Sequence, residues 1–73
     1  MTHPFSRMFE AALKKSSLQD NRVLEVAEDL KKKGYSIQEI YEVLQKLQRE
    51  LVMDSDLQIV TEAVEEFSRY IDS

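Results

Sequence analysis

The sequence predicts an all-α domain, built as a compact four-helix bundle or array with short connections. Good helix formers such as Leu, Glu, Lys, Gln and Ala are plentiful, whereas the 73 residues include one glycine and one proline. Apolar residues recur at intervals of three and four along almost the whole chain, which is the period of an amphipathic helix. We therefore expect a single domain spanning residues 1–73, with helices near 4–15, 17–33, 37–51 and 55–71.

The first two predicted helices are bounded by residues that suit helix ends. Pro4 suits a first turn, because the N–H that proline lacks has no helical partner there in any case. Ser17 is the predicted N-cap of the second helix, and Asp20 is favourable near the positive end of the helix dipole. The lysines at 31–33 then close this helix at the negative end of its dipole.

The stretch around the only glycine predicts one helix end and the next helix start. Gly34 suits the left-handed residue that follows a helix, and Tyr35 and Leu30 are then the apolar pair of a Schellman motif. Ser36 as N-cap and Glu39 three residues later form a capping box. We expect Tyr35 to be buried between Leu30 of one helix and Ile40 of the next, the pair to which the two motifs assign it. This structural corner comprises Leu30, Gly34, Tyr35, Ser36, Glu39 and Ile40.

Two separate apolar seams predict the third and fourth helices. The seams at 37–51 and at 57–71 each step by three and four residues. Six residues separate the seams, which would put them about 120° out of phase on one continuous helix. Asp54 and Ser55 are also good N-caps. We therefore predict a break near 52–55, and the alternative is one long helix that packs only in a dimer.

These patterns predict a core and a candidate interaction surface. The core comprises Phe9, Leu13, Val23, Val26, Leu30, Ile40, Leu44, Leu47, Leu51, Val60, Val64 and Phe67. A second apolar line on helix four, formed by Ile59, Ala63 and Tyr70, and Val43 on helix three lie outside the two seams. We interpret these four residues as a surface for self-association or a partner. The alternative is that a four-helix domain simply encloses a wide core.

Charge is unevenly distributed in this chain of net charge −4. Residues 1–33 hold seven basic and five acidic side chains, whereas residues 34–73 hold three and nine. The acidic half indicates either complementary packing of the two halves or a face for a basic partner protein. The acidic half argues against a nucleic-acid face there, because phosphate contacts need cations.

Catalysis and metal binding find little support in the sequence. There is no cysteine, and the only histidine, His3, lies near a terminus. We therefore expect no enzymatic activity, no cofactor, no metal and no small-molecule substrate. No apolar run is long enough to span a bilayer, and absent cysteine fits a reducing compartment, so we expect a soluble cytoplasmic protein that does not act at a membrane.

The predicted function is a helical protein–protein interaction or self-association module, with a homodimer as one form of it. The alternative is a nucleic-acid-linked transcriptional regulator that uses a helix-turn-helix-like corner at Gly34. Glu39 and Glu42 count against this alternative, because carboxylates at the start of a recognition helix would repel phosphates.

Overall fold

Four α-helices form the part of the chain that the computed structural model describes, residues 4–72. They are α1 (Pro4–Lys15), α2 (Arg22–Lys32), α3 (Ile37–Glu50) and α4 (Asp54–Asp72). Each helix contacts the other three, and the radius of gyration is 11.1 Å. A compact domain of this length is expected at about 11 Å. The all-α, four-helix prediction is confirmed. His3 lies outside the described residues.

The helices alternate in direction, and two long-range hydrogen bonds show the result. Asn21, just before α2, donates to the backbone carbonyl of Ile59 in α4, and Tyr70 near the end of α4 donates to Glu28 of α2. The contact partner in α4 moves from Ile59 to Tyr70 as the residue number rises from 21, just before α2, to 28 within it. The two helices therefore run in the same direction. The links that end α1 and α3 consequently lie at the same end of the bundle.

The core is entirely apolar within residues 4–72. All the predicted core residues are buried except Val26 and Leu51, which are half-buried. The buried set comprises Phe5, Phe9, Ala12, Leu13, Val23, Ala27, Leu30, Ile40, Val43, Leu44, Leu47, Ile59, Val60, Ala63, Val64 and Phe67. Since no polar side chain enters this set, the helix ends and the surface carry all of the described side-chain hydrogen bonds.

The helix end at the corner has the predicted backbone. Gly34 has φ of 96°, a left-handed conformation that L-residues with a Cβ rarely adopt. Its N–H donates to the Lys31 carbonyl at 3.1 Å, and the Tyr35 N–H donates to the Leu30 carbonyl at 3.2 Å. These two hydrogen bonds define a Schellman motif, so α2 ends as predicted.

The start of α3 also follows the prediction, but the side chain of Tyr35 does not. Ser36 is the N-cap, and its hydroxyl accepts from the Glu39 N–H at 3.4 Å. Tyr35 is 48% exposed, and its ring meets the edge of Phe5 at a centroid distance of 5.1 Å. The predicted burial of Tyr35 is wrong. The two motifs determine its backbone conformation, but its ring packs against Phe5 of α1 and stays half exposed.

The predicted start of α2 is wrong. Residues 17–20 form a tight turn in which Ser17 and Asp20 exchange backbone hydrogen bonds at 3.0 and 3.1 Å. The Ser17 hydroxyl does accept from the Asp20 N–H, at 3.1 Å, but it stabilises this turn and not a helix. The true N-cap is Asn21, whose Oδ1 accepts from the Leu24 N–H at 2.9 Å.

The predicted break between α3 and α4 is confirmed. Leu51 leaves the helical conformation, with φ −79° and ψ 139°. With Asp54 or Ser55 as N-cap, α4 would begin at residue 55 or 56. It begins at Asp54 instead, so neither residue is the N-cap. The Met53 carbonyl accepts the first helical hydrogen bond, from the Leu57 N–H at 2.9 Å, so Asp54 lies in the first turn.

Candidate interaction surfaces

The interaction surface predicted on α4 and α3 lies inside the protein. Ile59 is 4% exposed, Val43 is 7% exposed and Ala63 is fully buried. The prediction that these three residues form a free surface is therefore wrong. The second apolar line exists because α4 packs against three other helices, which cover more than one of its faces. The wide-core alternative is the correct one.

Tyr70, the fourth predicted surface residue, connects α4 to α2 by a side-chain hydrogen bond. Its hydroxyl donates to Glu28 Oε1 at 2.8 Å, and Lys31 Nζ lies 3.9 Å from the centre of its ring. The ring also meets the edge of Phe67 at 5.1 Å. A cation over an aromatic face is attracted by the ring quadrupole. Tyr70 is half-buried, and the groups around it are those of the fold itself.

The environment of Tyr70 changes its acidity. The hydrogen bond to Glu28 raises the pKa of the Tyr70 hydroxyl above its usual value, and desolvation and the charges of Glu28 and Glu66 act in the same direction. Phenolate formation would abolish the donated hydrogen bond and set two anions together. The hydrogen bond from Tyr70 of α4 to Glu28 of α2 therefore requires a protonated tyrosine.

A groove of about 450 Å³ runs along the surface between α1 and α2. We call it the hairpin groove. Each helix contributes four residues at positions i, i+3, i+4 and i+7, which share one helix face. Its apolar lining is Met8, Ala11, Ala12 and Val26. Met8 is 40% exposed, and an unbranched methionine adapts its shape to different partners.

The rim of the hairpin groove has charges of opposite sign at its two ends. Lys15, the last residue of α1, and Arg22, the first of α2, border the end nearest their link. Glu25 and Asp29 follow along α2. Asp29 lies seven residues from Arg22, about 10 Å along the helix axis. The groove is thus basic at one end and acidic towards the other.

A second apolar surface surrounds the link between α3 and α4. Val52 is 92% exposed and Met53 is 61% exposed. Beside them lies a groove of about 500 Å³, whose apolar lining comes from Leu13, Leu47 and Leu51. We call Val52, Met53 and this groove together the link surface. Single exposed apolar residues are ordinary, but two adjacent ones close in the chain to the leucine-containing lining of a groove are typical of interaction sites.

Acidic side chains surround the link surface. Glu10, Glu50 and Asp56 line its groove together with a single cation, Lys14. Asp54 follows Met53 directly and is exposed. Three of these carboxylates, those of Glu50, Asp54 and Asp56, come from residues 34–73, the acidic half of the sequence. The excess of carboxylates beside apolar side chains favours a partner that carries both cations and apolar groups.

The two grooves were not predicted, although two sequence features belong to them. Val26 and Leu51 are the predicted core residues that are only half-buried, and each lines one groove. Both residues belong to an apolar stripe of their helix, and the stripe alone does not show which of its residues a neighbouring helix covers. The dipeptide Val52-Met53 between two predicted helices was the more informative signal, because apolar side chains in a short link have little core to enter.

The corner offers little to nucleic acid. Of the three lysines that precede Gly34, Lys31 lies over the Tyr70 ring, and Lys33 Nζ lies 3.1 Å from Asp29 Oδ2. Exposed Glu39 and Glu42 follow in the first turns of α3. The cations near the corner are thus partly engaged within the fold, and the nucleic-acid alternative gains no support from this geometry.

The comparisons with known proteins give no guide to function. The chain matches no protein-family model, no curated protein and no solved structure. Within residues 4–72, no helix combines the length and the apolar character needed to cross a membrane. The same residues hold no cluster of three or more acidic or histidine side chains that could bind a metal ion. The two surfaces remain the features on which a function can be proposed.

Proposed function

We propose that this chain is a helical protein–protein interaction module without catalytic activity, which binds a basic partner protein through the link surface. The observation that carries the proposal is the exposure of Val52 and Met53, which lie in the chain between two residues of a groove that has leucines and carboxylates in its lining, Leu51 and Asp56. The cost of exposing two adjacent apolar side chains is recovered when a partner covers them. The absence of cysteine supports a reducing compartment, and we propose the cytoplasm as the location.

The partner has a recognisable chemistry. Apolar side chains of the partner would cover Val52, Met53 and the leucines of the groove, and its cations would lie among Glu10, Glu50 and Asp56. Hydrophobic contact at the centre and charge at the rim is the usual anatomy of a protein interface. Rim charges raise the association rate and make it sensitive to salt. We therefore expect binding that weakens as ionic strength rises.

The test is capture of partners on the immobilised full chain, with the double variant Val52→Ser/Met53→Ser compared with the wild type. Both side chains are exposed, so the double variant should keep the wild-type melting temperature. We expect the captured partner to be lost by this variant, and the purified partner to bind the wild type more weakly at high salt.

Leu18→Ser is the matched control. Leu18 is 60% exposed and lies in the link between α1 and α2, but it does not line the link surface. This variant removes an equally exposed apolar side chain, and we expect it to keep the partner. Equal capture by the wild type and the double variant would refute the proposal, as would loss of the partner by Leu18→Ser alone.

A further inference from the structure

The hairpin groove lies on the other side of α1 from the link surface, and it has a charge pattern that complements itself. Its two cations, Lys15 and Arg22, and its two carboxylates, Glu25 and Asp29, balance in number. They are also separated along the groove, with the cations at the end beside the α1–α2 link. A surface of this kind has the opposite charge pattern when it is turned end over end.

We propose that the hairpin groove is the contact surface between two copies of this chain. A two-fold interface uses the same patch on both copies, so the patch must fit itself. With the grooves antiparallel, Arg22 of each copy faces Asp29 of the other, and Val26 and Glu25 of both copies lie between these pairs. With the grooves parallel, cations would face cations, which is unfavourable. The charges therefore select one of the two arrangements.

The charged side chains are free to make these contacts. Arg22 forms an ion pair with Asp20 at 3.2 Å, and Asp29 forms one with Lys33 at 3.1 Å. All four side chains remain more than half exposed in these pairs. Exposed pairs of this type contribute little to stability, so they are easily exchanged or extended when a second copy arrives.

The size of the groove limits the strength of the dimer. Two helices of 11 and 12 residues form a face roughly 18 Å long and 20 Å wide. An interface of this size lies below the standard of about 800 Å² per partner. We therefore expect a weak dimer, with dissociation that is visible between about 10 µM and about 1 mM.

Sedimentation equilibrium of the full chain tests this proposal through charge reversal. We expect the wild type to dimerise with concentration, and Arg22→Glu alone or Asp29→Arg alone to weaken the dimer by about tenfold or more, because each places like charges together. An equimolar mixture of the two variants should form a heterodimer of wild-type strength, since both contacts then join opposite charges. Both reversals suit the α2 dipole, so unfolding does not explain a loss.

Lys46→Glu is the control for net charge, because it makes the same change as Arg22→Glu on an exposed position of α3. We expect it to leave the dimer unchanged. The proposal is overturned if the wild type stays monomeric throughout, if the reversals do not weaken its dimer, if the mixture does not restore it, or if Lys46→Glu has the same effect. None of these results bears on the link surface, which is tested with a different partner and different variants.

Discussion

The two ends of α2 are held in different ways. At its C-terminal end, the two hydrogen bonds of the Schellman motif join residues no more than five positions apart. At its N-terminal end, Asn21 caps α2 and also donates from Nδ2 to the Ile59 carbonyl of α4 at 2.9 Å, across 38 positions. One end is therefore a property of a short peptide segment, whereas the other depends on the assembled bundle.

The largest expected effect comes from Asn21→Ala. This change removes the N-cap and the hydrogen bonds from Asn21 Nδ2 to Ile59 and, at 3.3 Å, to Glu62. We expect a loss of about 2–3 kcal/mol in the free energy of unfolding, measured by urea denaturation. Asn21→Ser keeps a capping hydroxyl but is too short to reach α4, so it should lose about half as much. Equal losses would show that only the hydrogen bonds to α4 matter, and wild-type stability in Asn21→Ser would show that only capping matters.

Gly34→Ala should cost less, about 1–2 kcal/mol, because it forces an L-residue into a left-handed conformation. A Cβ at this position would meet nothing within 4 Å, so the loss measures backbone strain without steric contact. Gly34→Asn is the matched comparison, since asparagine tolerates this conformation better than alanine. If both variants retain wild-type stability, the corner is not determined by its local backbone.

Two serines provide a smaller and closely matched pair. Ser36 and Ser17 each accept a hydrogen bond from the N–H three residues ahead, but only Ser36 begins a helix. We expect Ser36→Ala to cost about 1 kcal/mol in thermal denaturation. Ser17→Ala should cost a few tenths, because it affects an exposed turn. The reverse order would show that the turn matters more than the corner.

The smallest effect concerns the pH dependence that Tyr70 adds near the C-terminal end of α2. Because the folded pKa of Tyr70 is raised, its contribution is full below about pH 10, where the unfolded tyrosine begins to ionise, and is lost as pH rises through the folded pKa. Phenolate absorbance should show the ionisation of Tyr70 above the usual pKa of a tyrosine. Tyr70→Phe should remove this ionisation from the titration, and Glu28→Gln should lower the pKa of Tyr70. An unchanged titration in Glu28→Gln would contradict the assigned cause.

The parts of the fold that the sequence predicted correctly are those set by nearby residues. The helical spacing gave the four helices, and Gly34 and Ser36 gave the corner, because each motif is complete within a few positions. The start of α2 was missed because Ser17 and Asp20 satisfy the same local pattern as an N-cap. Asn21, the actual N-cap, satisfies the same local pattern through Leu24 and is held in addition by its hydrogen bond to α4.

The surfaces were harder to predict for a related reason. Whether an apolar residue is covered depends on how many helices pack around it, and the pattern of a single helix does not contain that number. Every helix has three neighbours, but Ile59 and Ala63 lie on faces of α4 that these neighbours cover, whereas Val26 and Leu51 lie at the edge of the covered region. The candidate sites are therefore properties of the packed bundle.

The reach of Asn21 across the chain has a consequence for the order in which α2 folds. Closing a loop costs entropy that increases with its length, so the corner can form while the rest of the chain is still unfolded. The bond from Asn21 to Ile59 must await the docking of α4. Substitutions at Gly34 and Ser36 should then slow folding, whereas those at Asn21 should mainly speed unfolding. On this view α2 forms from its C-terminal end towards its beginning, against the direction of synthesis.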